Sequence, residues 1–241
     1  MTELAYIIPT HIHMDHAGGM GELARRFPRA RVLLHPRGAR HAVDPSRLIE
    51  ATRMVFGPDF ESRYGAILPV PEEQVYVPRD GEVILVDGRE LEIIYAPGHA
   101  QHHIAIFDRS VRGLFCGEAL GIPVHRARPL ALPSVATPNF DEELYLSTIE
   151  RLRGLEPRLL FYSHGPAVAR EPETLIASVA ENTRAFGDLI LNALKQGESQ
   201  EAIRRRLADY MADRFGIRFD DAGLAMTVSG YTIYYQGKGL A

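Results

Sequence analysis

Four side chains able to bind a metal fall within six residues near the start of the chain: His11, His13, Asp15 and His16. An apolar run, Leu4 to Ile8, precedes them and reads as a short buried strand. In an extended backbone side chains two apart point the same way, so His11 and His13 are expected to share a face. Gly18-Gly19 lets the chain turn, and Gly21 to Phe27 reads as a short helix. Asp15 and His16 are therefore expected in a tight loop between strand and helix. Three imidazoles and a carboxylate at this density repel one another when protonated, and are poorly satisfied if buried without a cation. Imidazole and carboxylate donors suit zinc, iron or manganese.

The His11-x-His13-x-Asp15-His16 pattern resembles the signature of the metallo-β-lactamase fold superfamily. That resemblance implies an α/β (α+β) fold: a four-layer αββα sandwich with a one- or two-metal site between the sheets. It implies hydrolase activity for most members carrying the full motif. It also implies three further ligands downstream. His99, in Pro97-Gly98-His99, matches the third histidine of the first metal site, and His164, after an expected strand, matches the last histidine of the second. Where the family has Gly-Asp, this chain has Cys116-Gly117-Glu118. Glu118 is thus the bridging candidate, with one methylene more than expected. That methylene moves the carboxylate by roughly one bond length, whereas metal–oxygen distances vary by only about 0.2 Å. The expected donor sets are His11, His13 and His99, then Asp15, His16 and His164, with Glu118 between them. The resemblance adds a catalytic role for Asp15, orienting a metal-bound hydroxide. It implies two divalent ions as cofactors, zinc first, with manganese and iron(II) as alternatives.

The match is strongest over His11 to Gly19, Pro97 to His103 and Glu118 to Gly121, and there it resembles the glyoxalase-II-like hydrolases. The expected activity is hydrolysis of an ester, thioester or lactone by a metal-bound hydroxide. Two alternatives stand beside it: a mononuclear iron dioxygenase of the same fold acting on a persulfide, and a non-catalytic metal-binding relative. His102 and His103 are weaker candidates, as supports to the ligands. His125, Arg126 and Arg128 are candidates for contact with an anionic substrate.

The rest of the chain must position these groups. Arg31 to His35 reads as a strand, and Pro36-Arg37-Gly38 as a break. A helix is expected from Pro45-Ser46 to about Phe56. Val83 to Val86 and Leu91 to Tyr95 flank Asp87-Gly88, a favoured hairpin turn. His103 to Asp108 and Gly113 to Cys116 read as another strand pair. Residues 121–138, with four prolines, read as a long irregular loop. A helix is expected from Asp141 to Leu155 with Leu144, Ile149 and Leu152 inward, then a strand from Arg158 to Ser163. Three helices follow: Pro172 to Lys195, Gln200 to Phe215 and Asp220 to Tyr235. The expected organisation is a metal-binding domain over residues 1–170 and a C-terminal helical appendage over 171–241. The resemblance implies strands ahead of the histidine-rich strand, and with the motif beginning at residue 11 the expectation is a fold without them.

With 241 residues, 46% hydrophobic and 24% charged, the composition is that of an ordinary globular protein. A net charge of −4 argues against a nucleic-acid surface spread over the whole chain. The single cysteine excludes an internal disulfide. No run approaches the roughly 20 apolar residues of a membrane span, and the start lacks a signal-peptide pattern. The expectation is a cytoplasmic protein with a small-molecule substrate, without nucleic-acid or membrane partners. An uncovered sheet edge and the helical tail favour a homo-oligomer.

Overall fold

The computed structural model describes residues 3–124, 129–166, 168–218 and 220–241. His125, Arg126 and Arg128 lie outside the described residues. The chain forms two compact units, one of Met1–Ala96 with His102–Gly117, the other of Pro97–Gln101 with Glu118–Ala241.

The first unit begins with β1 (Tyr6–Ile7), α1 (Met14–Ala17), α2 (Met20–Arg26) and β2 (Arg31–Leu33). There follow α3 (Pro36–Val43), α4 (Ser46–Phe56), α5 (Phe60–Tyr64) and β3 (Val75–Tyr76). Its last strands are β4 (Glu82–Val86), β5 (Arg89–Tyr95), β6 (Ile104–Asp108) and β7 (Gly113–Gly117). β1, β2 and β3 pair in parallel, Ile7 with Val32 and Leu33 with Tyr76. β4 to β7 form an antiparallel meander. The Asp87-Gly88 turn has both residues at positive φ, 49° and 80°, as a two-residue hairpin of this kind requires. The two sheets bury Leu33, Ile84, Ile93, Ile104 and Ile106 in one cluster. On the other side of β1–β3, Ile7, Val32 and Leu34 pack with Met20, Ala24 and Ala42 of the helices.

Two expectations for this unit are corrected. Asp15 and His16 lie in one turn of helix rather than in a loop, with His13 O accepting from His16 N and Ala17 N. Pro36-Arg37-Gly38 opens α3 rather than breaking the chain. Pro36 occupies the first turn, where its missing N–H costs nothing, and His35 Nδ1 caps the helix by accepting from Arg37 N at 3.1 Å.

His35 supplies a pH dependence. Burial, then the nearby Arg37 charge, lowers its pKa from 6.5 to about 4, with Asp80 opposing. The neutral imidazole is the form that folds. Its contribution is therefore complete above the unfolded pKa and lost as pH falls from about 6.5 towards 4. Urea unfolding of His35→Asn, which keeps an acceptor for Arg37 N and cannot titrate, should lose about 1 kcal/mol less than the wild type between pH 7 and pH 5. Equal losses in the two proteins would remove His35 as the cause.

The second unit contains β8 (Ile122–Val124), β9 (Leu130–Leu132), α6 (Glu142–Arg153), β10 (Leu159–Tyr162) and β11 (Val168–Ala169). It ends with α7 (Pro172–Lys195), α8 (Gln200–Phe215) and α9 (Asp221–Gly237). The region expected as irregular loop thus contains an antiparallel pair, β8 with β9. Its support is long-range: Asn182 of α7 donates to Ala131 O at 3.0 Å. Asp141 caps α6, its Oδ1 accepting from Leu144 N at 3.0 Å. The inward residue of the first turn of α6 is Tyr145, which is fully buried, while Leu144 faces outward. α8 buries Ile203, Leu207 and Met211 as its spacing predicts. Among the described residues no helix is long and apolar enough to cross a membrane.

Candidate metal centre

Each unit carries its own cluster of potential donors. In the first, β1 leads into His11 and His13, and α1 presents Asp15 and His16. His11 is buried, and its Nε2 lies 2.9 Å from His13 Nδ1. The ring centroids of His11 and His16 are 4.0 Å apart. Thr10 Oγ1 lies 3.1 Å from the other nitrogen of His11, Nδ1. That contact turns Nε2 towards the cluster. His16 Nε2 and Asp15 Oδ2 are 3.2 Å apart, with His16 largely covered and Asp15 half exposed.

The two weaker candidates join this cluster. The His103 ring stacks on His11 at 4.9 Å and is fully buried. His102 Nδ1 accepts from Ile12 N at 3.4 Å, the peptide between the two first histidines. The close packing relies on Gly117 at the end of β7. It has φ 55°, and a Cβ there would lie 2.6 Å from His103 Nε2 and 2.9 Å from Thr10 Oγ1.

In the second unit, His99 and Glu118 are both buried, 3% and 6% exposed. His99 Nδ1 lies 3.0 Å from the carbonyl oxygen of Ser134. A carbonyl only accepts, so Nδ1 donates to it and Nε2 is the nitrogen turned towards Glu118. Nε2 is 3.1 Å from Glu118 Oε2. Two lone pairs facing each other at that distance require a proton or a cation between them. Donors on one tetrahedral ion with bonds near 2.05 Å stand about 3.4 Å apart, so the spacing suits a shared cation. His164 Nε2 is 3.9 Å from Glu118 Oε1, at a more open position. The donor chemistry of both clusters, imidazole with carboxylate, fits a divalent ion such as zinc, manganese or iron(II).

Three groups around these donors had no local signal in the sequence: Thr10, Ser134 and Tyr145. Ser134 Oγ donates to Glu118 Oε1 at 2.6 Å. Tyr145 Oη donates to Glu118 O at 2.9 Å and receives Ser134 N at 3.3 Å. Cys116 is a buried strand residue whose thiol is pushed up by burial, so it is no nucleophile.

Residues 3–164 match the family model of the Metallo-beta-lactamase superfamily. The chain belongs to that superfamily. A metallo-beta-lactamase fold-containing protein of Sulfurisphaera tokodaii is 27% identical over 173 residues, 70% of this chain and 63% of the relative. A crystal structure of an archaeal superfamily member from Sulfolobus tokodaii superposes with a TM-score of 0.63 at 25% identity, covering 77% of this chain and 69% of that one. The superfamily's fold is therefore the fold of this chain. An atrochrysone carboxyl ACP thioesterase of Aspergillus fumigatus is 25% identical over 88% of this chain and 59% of its own length. A hydroxyacylglutathione hydrolase of a Synechococcus species is 32% identical over 49% of this chain and 35% of its own. The chain thus spans less than two thirds of the length of each of these curated relatives.

Proposed function

We propose that the chain is a divalent-metal-dependent hydrolase of acyl thioesters, with esters and lactones as further substrates. The observation that carries the reading is the donor geometry within each unit: His11 Nε2 with His13 Nδ1 at 2.9 Å, and His99 Nε2 with Glu118 Oε2 at 3.1 Å. Superfamily membership supports bringing these pairs to one centre. The donor sets are then those the resemblance implies, His11, His13 and His99 for one ion and Asp15, His16 and His164 for the other, with Glu118 between them. The thioesterase and acylglutathione hydrolase among the relatives support the choice of substrate class. Divalent ions bound there supply Lewis acidity: they lower the pKa of water and polarise an acyl carbonyl.

The protein's own residues have definable tasks. Ser134 O holds the tautomer of His99, and Thr10 turns the His11 ring. Asp15 stands half exposed beside His16, and its proposed task is to orient the attacking water and accept its proton.

The purified chain should retain at least one zinc, manganese or iron ion, and should release thiol from short-chain acylglutathione or acyl-CoA substrates. Chelation should abolish the release and added metal restore it. A metal-replete chain inert on thioesters, esters and lactones alike would sink the hydrolase reading. One iron per chain with oxygen uptake on a persulfide would replace it with the dioxygenase.

A further inference from the structure

The Glu118 carboxylate has two unlike sides. Oε2 faces His99 Nε2 at 3.1 Å. Oε1 accepts the Ser134 hydroxyl at 2.6 Å, and His164 Nε2 stands 3.9 Å from that same oxygen. Ser134 is 5% exposed, so its hydroxyl bond is shielded from competing water. Nor can Ser134 drift. Its N–H is held by Tyr145 Oη at 3.3 Å, and its carbonyl by His99 Nδ1 at 3.0 Å. Tyr145 also fixes the Glu118 peptide from behind.

A short bond from a hydroxyl to an ionised carboxylate is among the stronger hydrogen bonds in proteins. It occupies one lone pair of Oε1 and draws charge from that oxygen. A cation approaching Oε1 from the His164 side has to share the oxygen with Oγ–H. A cation on Oε2 beside His99 does not. An aspartate, one methylene shorter, could not reach Ser134 from the same backbone position, so the contact is particular to Glu118.

We infer that Ser134 makes Glu118 a one-sided ligand: Oε2 is left to the ion shared with His99, while the hydroxyl restrains Oε1 from serving the ion on His164. Ser134 is a positioning residue that sets two ions at unequal affinities. The inference rests on the metal-centre reading given above.

The test is titration of the metal-free chain with zinc or cobalt(II), by calorimetry and chelator competition, on wild type, Ser134→Ala, Ser134→Cys and Ser134→Thr. The wild type should bind a second ion at least about tenfold more weakly than the first, a span typical of groups that support metal ligands. Ser134→Ala should tighten the second ion by about tenfold and change the first by less than about threefold. Ser134→Cys, a near-isosteric weak donor, should tighten it to a smaller degree, and serves if the alanine variant fails to fold. Ser134→Thr, which keeps the hydroxyl, should match the wild type. A merely structural role would change both affinities or the melting temperature together and leave their ratio alone. Two equal sites in the wild type would overturn the inference, as would a second ion unchanged or weakened in both Ser134→Ala and Ser134→Cys. A wild-type chain that binds no ion would instead remove the metal-centre reading itself.

Discussion

Replacing His99 by alanine should lower divalent-cation affinity by about 10³-fold or more and abolish chelator-sensitive thioester hydrolysis. The size follows from what the imidazole does. Its Nδ1–H satisfies the Ser134 carbonyl, and that contact commits Nε2 to the side facing Glu118 Oε2. Removing the ring deletes a donor nitrogen whose tautomer and direction are already set, so no ordering cost is recovered. It also leaves the buried Ser134 carbonyl without its ring donor and takes from Glu118 the imidazole 3.1 Å from its Oε2. Each such loss costs about 1–3 kcal/mol in a buried setting. The metal-free variant should therefore melt lower as well, yet remain folded by circular dichroism. His41→Ala is the matched control. That ring lies at the end of α3 with its Nε2 accepting from Arg40 Nε, and its loss should leave metal content unchanged. Equal metal content in His99→Ala and His41→Ala would take His99 out of the donor set.

The candidate donors were legible as residue types because the first four fall within six residues; His11 and His13 do meet, 2.9 Å apart, although the strand before them ends at Ile7. α7 was legible to the residue, since Pro172 opens it and its apolar spacing runs unbroken to Lys195. The Asp87-Gly88 hairpin was legible for a similar reason: its backbone demand falls on the two residues that name it. What escaped depends on partners distant in the chain. β8 and β9 are three residues each, and β8 contains Pro123, so neither carries a period. Part of what holds them is Asn182 on Ala131, 51 residues apart. The choice of Tyr145 over Leu144 as the inward residue of α6 follows from Tyr145 Oη finding Glu118 O, 27 residues back. Ser134 reaches Glu118 across 16 residues, and no spacing rule encodes that contact. Pro36 shows a different failure. A helix breaker in the interior is a helix starter in the first turn, and only the His35 cap distinguishes the two.

Gly98 is where fold and centre are most tightly joined, and Gly98→Ala should destabilise the protein by about 3 kcal/mol or more. Its φ is 132°, a conformation that residues with a side chain rarely adopt. Space forbids the substitution independently. A Cβ at this position would meet the Tyr145 backbone, only 2.5 Å from its nitrogen. Backbone cannot swing aside as a flexible side chain can. Tyr145 N is bonded to Asp141 O, Asp141 N to Gly98 O at 2.9 Å, and Thr148 Oγ1 to Pro97 O at 2.6 Å. The Pro97–His99 turn is thus tied to the first turns of α6, and relieving the clash means parting them. Parting them moves His99 away from Ser134 O and Tyr145 away from Glu118 O, so metal affinity should fall together with stability. Thermal unfolding and metal titration on the same preparation check both. A Gly98→Ala chain that melts within a degree or two of wild type would show that the turn is not seated on α6 this tightly. Unchanged melting with weakened metal would instead place the effect on His99 alone. Loss of both together is the expected result, because one glycine supplies the close approach that the helix and the ligand share.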